Sequence, residues 1–443
     1  MAKNIIEKAP FTFNITDLNE MEYPKYADYR ATDKEGRYLY WDKFKWRVDT
    51  DDDIEKAWWA TKFNRTVDRK YLMLRDKKSE AFSFCIPDSI QAKLFQILSL
   101  ASKGVVPHDS IKEQFLMSSL VMEEAISSSQ LEGASTTRKI AKEMLISKKK
   151  PRTNDEQMIV NNYLLMKEVQ SVKKEALTVD MILEFHRIAI HGTVDNGNIA
   201  GELRKTDDII IMDADENVLH QPPLFESLPE RLVVICSFAN EEHNGVNDSI
   251  FINPIIKAII LHFMIGYDHP FADGNGRTAR AIFYWFMLKE GFDYFEYVSI
   301  SKLLKKAPKQ YSMAYLYSEI DDNDLTYFIN YQIDIILRAI DELLLYLQKK
   351  SEAYEEITEF LKDSFLSEQL NFTQKDIIKK AIQSPGRIFT AIEISVDYDI
   401  SANSARKYLN ELVKYKILGN YKDGRTIAYI APANLHELLK KVK

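Results

Sequence analysis

His269, Asp273, Arg277 and Arg280 fall within one stretch of 12 residues, His-Pro-Phe-Ala-Asp-Gly-Asn-Gly-Arg-Thr-Ala-Arg, which also holds Gly274, Asn275 and Gly276. A histidine exchanges protons near neutral pH. A carboxylate holds a hard cation such as Mg²⁺. Glycines let backbone N–H groups turn toward an anion, and a helix starting among them adds the positive end of its dipole. Arginine forks suit phosphate oxygens. Together these residues predict a site that moves part of a nucleoside triphosphate onto a hydroxyl.

Such a site needs rigid elements on both sides of the loop. Apolar periodicity predicts a helix over 254–266 leading into His269 and another over 276–290 leaving the glycines. Further helices are predicted at 89–102, 110–132, 153–172, 178–190, 224–241, 299–307, 310–319 and 324–349, with Gly133 as the C-cap of the second. His262, on the apolar helix before the loop, reads as structural. One segment breaks the pattern: Asp208, Ile209, Ile210, Ile211 and Met212, then a polar turn, then 218–223, which reads as a β-hairpin.

The first 80 or so residues carry Trp41, Trp46, Trp58 and Trp59. They read as the packed core of a small subdomain, strand over 38–46 and helix over 53–63. Beyond 371 the order changes to helix (373–382), short helix (390–396), turn, helix (401–415) and a strand pair (417–421, 426–430). That order predicts a winged helix-turn-helix.

The 443 residues suffice for two or three domains, and 46% apolar with 28% charged residues fits a folded soluble protein. Two cysteines, Cys85 and Cys236, give no disulfide framework and favour a reducing compartment. With no apolar leader and no run long enough for a bilayer, a cytoplasmic location without membrane contact is expected. The net charge of −7 is uneven: residues 371–443 hold 13 Lys/Arg against 7 Asp/Glu, a balance of +6, so the remainder carries −13. Only the tail is suited to meet nucleic acid.

Residues 269–280 resemble the signature of the Fic family, His-x-Phe-x-(Asp/Glu)-Gly-Asn-Gly-Arg-x-x-Arg, with every defining position filled. The resemblance extends over about 110–350 and implies a mainly α fold: a Fic-type helical bundle with a β-hairpin flap, here followed by the winged helix domain. Its usual activity is AMPylation, in which ATP donates AMP to a Ser, Thr or Tyr hydroxyl of a protein and pyrophosphate leaves. His269 is then the general base. Phe271 anchors the loop, and Asp273 holds Mg²⁺. Gly274, Asn275 and Gly276 form the anion cradle, with the Asn275 side chain on the α-phosphate, while Arg277 and Arg280 meet the outer phosphates. Residues Asp208, Ile209, Ile210 and Ile211 correspond to the flap that holds a target segment by strand addition.

Ser128, Glu132 and Gly133 resemble a second family element, the inhibitory motif (Ser/Thr)-x-x-x-Glu-(Gly/Asn), whose glutamate pairs with the second signature arginine, here Arg280. This implies autoinhibition by competition for the γ-phosphate site. The implied domains are an N-terminal subdomain (1–105), a catalytic domain with its inhibitory helix (106–350), a linker helix (351–370) and the winged helix (371–443). The implied ligands are ATP and Mg²⁺, and the implied partners a protein substrate or the chain itself, a homodimer mate and DNA through 371–443. Two other activities fit the same residues: a Fic-fold kinase, which the intact glycine cradle disfavours, and a DNA-binding transcription regulator that senses nucleotide.

Overall fold

The structure, a computed structural model, describes residues 6–11, 13–18, 20–102, 121–147, 149–193, 200–212, 216–246, 250–362, 369–384, 386–398, 400–423, 426–432 and 435. Its chain forms two units, Met1–Asp341 and Glu342–Lys443. The first contains α1 (Ile54–Val67), the hairpin β1 (Lys70–Arg75) and β2 (Ala81–Phe84), then α2 (Asp88–Ser102), α3 (Val121–Leu131), α4 (Arg138–Ser147), α5 (Asn154–Ser171) and α6 (Val179–Ile190). A short hairpin, β3 (Ile211–Met212) and β4 (Val218–His220), precedes α7 (Leu228–Asn240), α8 (Pro254–Asp268), α9 (Asn275–Lys289), α10 (Pro308–Ile320) and the start of α11 (Thr326–Lys362). Among the described residues no helix is long and apolar enough to cross a membrane.

The core is built on α8 and α9, which pack along each other and are buried on all sides. A helix apolar all round has to sit centrally. Ile255, Ile256, Ile259, Ile260, Leu261, Phe263 and Ile265 are buried, each such side chain contributing about 1.5–3 kcal/mol. Asn253 caps α8 by accepting from Ile255 N, with Pro254 at the first helical position. Thr153 and Thr178 cap α5 and α6 in the same way. These caps fix where each helix begins, and α5 and α6 then pack against α9.

Two expectations fail near the N-terminus. Residues 38–46 form no strand; Trp41–Phe44 is a short helix, because Trp41 and Phe44 bury together one turn apart. Trp41, Trp58 and Trp59 are core residues, but Trp46 is 78% exposed with Lys45 over its ring. The strands of this region are β1 and β2, closed by Asp76, whose carboxylate accepts from Lys78 N and Glu80 N at 2.8 Å each. The long helix expected over 110–132 is described only from Val121, its earlier part lying outside the described residues. The hairpin at 208–223 is present but pairs only at Ile211–His220 and Met212–Val218, and residues 213–215 of its turn lie outside the described residues. α4 was not expected at all.

In the second unit, α12 (Phe372–Gln383), β5 (Ile388–Thr390), α13 (Ala391–Asp397), α14 (Ala402–Lys414), β6 (Gly419–Asp423) and β7 (Thr426–Ile430) follow in order. The antiparallel sheet runs β5-β7-β6. Asn371 and Thr390 open α12 and α13 with capping boxes, and Ser401 caps α14. Ile377, Ile378, Phe389, Ile394, Leu409, Leu412 and Tyr429 form a core of its own. Strand β5 is an addition to the expected order.

Candidate active site

The loop between α8 and α9 is held in shape by its own residues. His269 ends α8 in the left-handed region (φ 45°, ψ 57°), a conformation rare outside glycine that histidine adopts more readily than most residues. Gly274 takes φ 83° as N-cap of α9, and a Cβ there would stand 2.7 Å from Ile190 Cγ2 and 3.2 Å from His186 Cδ2. Asn275 is buried with both polar atoms engaged: Oδ1 accepts from Phe271 N at 2.9 Å and Nδ2 donates to Phe271 O at 2.7 Å. The amide closes the loop on itself, because residues four apart around this turn face each other.

Arg277 is engaged within the loop as well. Nη1 donates to Ala189 O at 2.8 Å, Nη2 to Asp273 Oδ2 at 2.8 Å, and the side chain is 1% exposed. It braces the loop against the end of α6, while its buried Nε has no hydrogen-bond partner among the described residues. Asp273 Oδ1 accepts from Gly274 N at 2.6 Å, yet the side chain remains 51% exposed. Each of its oxygens keeps lone-pair capacity. No cluster of three acidic, histidine or cysteine side chains that could hold a metal occurs among the described residues. A cation at Asp273 would take its other ligands from a bound phosphate and from water, which is how Mg²⁺ commonly sits.

His269 is poised as a base. Its Nδ1 lies 3.3 Å from Gly266 O. A carbonyl only accepts, so Nδ1 carries the proton and Nε2 keeps its lone pair. Burial lowers its pKa to about 4, so the ring is neutral at pH 7. Behind the loop, His186 stacks on Phe271 with centroids 3.7 Å apart. Its Nδ1 accepts from Gly201 N at 3.0 Å, leaving Nε2–H for Asp273 O at 3.0 Å. Burial likewise lowers His186 to about 4, which keeps this tautomer neutral.

Arg204 and His220 tie the hairpin to the same loop. Arg204 Nε donates to His269 O at 3.0 Å and Arg204 N to Pro270 O at 2.9 Å, while Nη1 reaches Thr206 O and Asp207 Oδ1 at 2.8 Å. His220, on β4, faces Glu319 Oε2 and Tyr267 O, each at 2.7 Å. Asp208 accepts from Thr206 Oγ1. Ile210 and Met212 are 40% and 54% exposed, which leaves an apolar strip on the hairpin beside the loop. His186, Arg204 and His220 escaped the sequence reading, since their partners lie far along the chain and no local pattern marks them.

Arg280 is fully buried and points at the end of α3. Nε and Nη2 donate to Ser128 Oγ at 3.0 and 2.9 Å, and Nη2 donates to Glu132 Oε1 at 2.8 Å. α3 ends in a Schellman motif: Ala134 N donates to Ser129 O at 3.0 Å and Gly133 N to Gln130 O at 3.2 Å, with Gly133 at φ 101°. That cap sets Glu132 over the first turn of α9. A Cβ on Gly276 would collide with Glu132 Oε1 and stand 3.0 Å from Arg280 Nη1. A carboxylate thus occupies the space where the first amides of α9, which have no intrahelical partners, would receive an anion. The cavity behind Arg277 and Arg280, lined by Glu124 and Asn162, holds only about 10 Å³.

Comparison with known proteins agrees with this geometry. Residues 176–287 match the model of the Fic/DOC family. A protein adenylyltransferase Fic of Nematostella vectensis is 30% identical over 144 residues, 29% of this chain and 29% of that protein. Protein adenylyltransferase fic-1 of Caenorhabditis elegans is 33% identical over 122 residues, 28% of this chain and 21% of that one. The chain thus spans less than a third of the length of these relatives. A Fic family protein of Desulfovibrio desulfuricans G20 superposes with a TM-score of 0.51 at 17% identity, covering 79% of this chain and 97% of its own. The fold is mainly α and of the Fic type.

Proposed function

We propose that this chain is a protein adenylyltransferase, moving AMP from ATP onto a Ser, Thr or Tyr hydroxyl of a protein, and that Glu132 holds it inhibited. The observation that carries the reading is a neutral His269 with a free Nε2, on the loop that opens α9. In the reaction the target oxygen attacks the α-phosphorus of ATP and its proton passes to His269 Nε2. The oxygen–phosphorus bond forms, the bond to the β-phosphate oxygen breaks, and pyrophosphate leaves. Such a base contributes about 10²–10⁴-fold. The triphosphate's negative charge raises the proton affinity of the imidazole as the substrate binds.

Backbone amides of Asn275, Gly276 and Arg277 supply the phosphate donors, with the side chains of Asn275 and Arg277 keeping those amides in place. Arg280 adds its fork once Glu132 withdraws. Asp273 would hold Mg²⁺, which when bound neutralises phosphate charge. The exposed strip at Ile210 and Met212 suits a target segment laid along the hairpin, registered against His269 through Arg204 and His220. The units read as catalytic body and winged helix-turn-helix, the latter over 371–443.

ATP labelled at the α- or γ-phosphate tests the reading. Transfer of α-label alone, lost in His269→Ala while ATP still raises the melting temperature, is the expected result. Transfer of γ-label would make the chain a kinase. Labelling that persists in His269→Ala would remove His269 as the base.

A further inference from the structure

The second unit distributes its charges unevenly between its interior and its surface. Four acidic side chains are described between 371 and 432, and all four are engaged inside the unit. Asp376 accepts from Tyr398 Oη at 2.5 Å and lies 3.6 Å from Lys380. Asp397 pairs with Lys380 at 3.2 Å, Glu393 pairs with Arg387 at 2.8 Å, and Glu411 accepts from Gln374 Nε2 at 2.6 Å. The cations are left over. Among the described residues, Lys375, Arg406, Lys407, Lys414, Lys416 and Lys422 make no ion pair, and all but Lys375 are exposed.

These cations are not scattered. α14 buries Ala405, Leu409 and Leu412 against the core. The opposite face carries Asn403, Arg406, Lys407, Asn410 and Lys414, all exposed and spaced three, four and seven residues apart, hence on one stripe. Glu411 lies at the edge of that stripe, one turn from Lys407 and Lys414, with its carboxylate turned to Gln374 Nε2 at 2.6 Å. Tyr429 Oη donates to Asn410 Oδ1 at 2.9 Å, which orients the Asn410 amide and leaves its NH₂ outward. Lys422 stands exposed on β6, beside the hairpin tip.

We propose that this face of α14 binds double-stranded DNA, with the helix in the major groove and Lys422 on the flanking backbone. The chemistry is specific to that partner class. Lysines that form no ion pair are available to neutralise phosphates. Arginine and asparagine are the side chains whose donor patterns match guanine and adenine edges. A 13-residue helix is about 20 Å long and fits a groove about 12 Å wide. α13 and α14, joined by the short turn after Asp397, form the helix pair that presents a second helix to a groove. The proposal rests on the winged helix reading of 371–443 and is independent of AMP transfer.

The test uses the full chain and a fluorescent random-sequence duplex of about 20 base pairs, read by anisotropy. Neutralising about four phosphates predicts a roughly 100-fold loss of affinity between about 50 and 200 mM salt. Arg406→Glu with Lys407→Glu should weaken binding at least about 10-fold at low salt. Lys414→Ala, a mild change on an exposed helix face, should lower the slope of log affinity against log salt by about one. Neither variant should change labelling from ATP. No binding at low salt, binding indifferent to both variants, or single-stranded RNA bound as tightly as the duplex would each overturn the proposal.

Discussion

Glu132→Gln removes one charge at the mouth of the cradle while keeping the side chain's shape, and Glu132→Gly removes both. In the native arrangement the carboxylate stands over Gly276 and 2.8 Å from Arg280 Nη2. A phosphate oxygen about 5 Å from that carboxylate, at an effective dielectric of about 20, is opposed by about 3 kcal/mol. That corresponds to about a 100-fold gain in α-phosphate transfer when the charge is removed. The cost to stability is smaller. Breaking a buried pair typically costs about 3–5 kcal/mol. Here Glu132 is 26% exposed and Arg280 keeps its bonds to Ser128, so about 1–2 kcal/mol is expected. The assay pairs two readouts: labelling with α-labelled ATP, and melting with and without ATP. The variants should melt a few degrees lower without nucleotide and be raised more by ATP than the native chain. Equal activation by Gln and Gly would identify charge as the inhibitory agent, and activation by Gly alone would identify occupancy. If neither variant labels faster and ATP shifts neither melt further, the inhibitory assignment is wrong.

Three further outcomes are expected. Gly276→Ala should also dislodge Glu132 from Arg280, yet labelling should stay low, because the added methyl fills the cradle; a labelling rate matching Glu132→Gly would show that the amide cradle does not bind phosphate. Burial lowers His262 to about 3, so it takes up a proton on unfolding between pH 6.5 and that value. Its contribution to stability is complete above pH 6.5 and is lost as pH falls; His262→Gln should therefore flatten melting temperature against pH between about 6.5 and 4, and an unchanged slope would contradict the assignment. Arg204→Lys keeps a charge but cannot bond His269 O, Thr206 O and Asp207 together; labelling should fall about 10-fold or more while the ATP-induced melting shift is retained. A loss of the shift instead would place Arg204 at the nucleotide.

The sequence disclosed the loop because its parts are contiguous, and it disclosed the Glu132–Arg280 pair through a motif ending in glycine. The bracing role of Asn275 and Arg277 within the loop was not legible, for a physical reason. An amide and a guanidinium that could bind phosphate can equally bind backbone carbonyls one turn away, and composition does not distinguish the two. The hairpin of β1 and β2 escaped because Tyr71 and Met73 are apolar residues on its exposed face, which erases the alternation that marks a strand. Residues 38–46 invited a strand by aromatic density, but Tyr40, Trp41 and Phe44 serve a common cluster with Trp58. His186, Arg204 and His220 act across the tertiary fold and leave no local trace.

Gly133 finishes α3 with a left-handed turn, and a Cβ placed there would meet no atom within 4 Å. Alanine at 133 therefore bears the dihedral penalty, about 1–2 kcal/mol, with no clash at its Cβ. The position of the Glu132 carboxylate is thus set by the turn at Gly133 together with its pair to Arg280. Unwinding the terminal turn of α3 would lift Glu132 from Gly276 and release Arg280 from both Ser128 and Glu132.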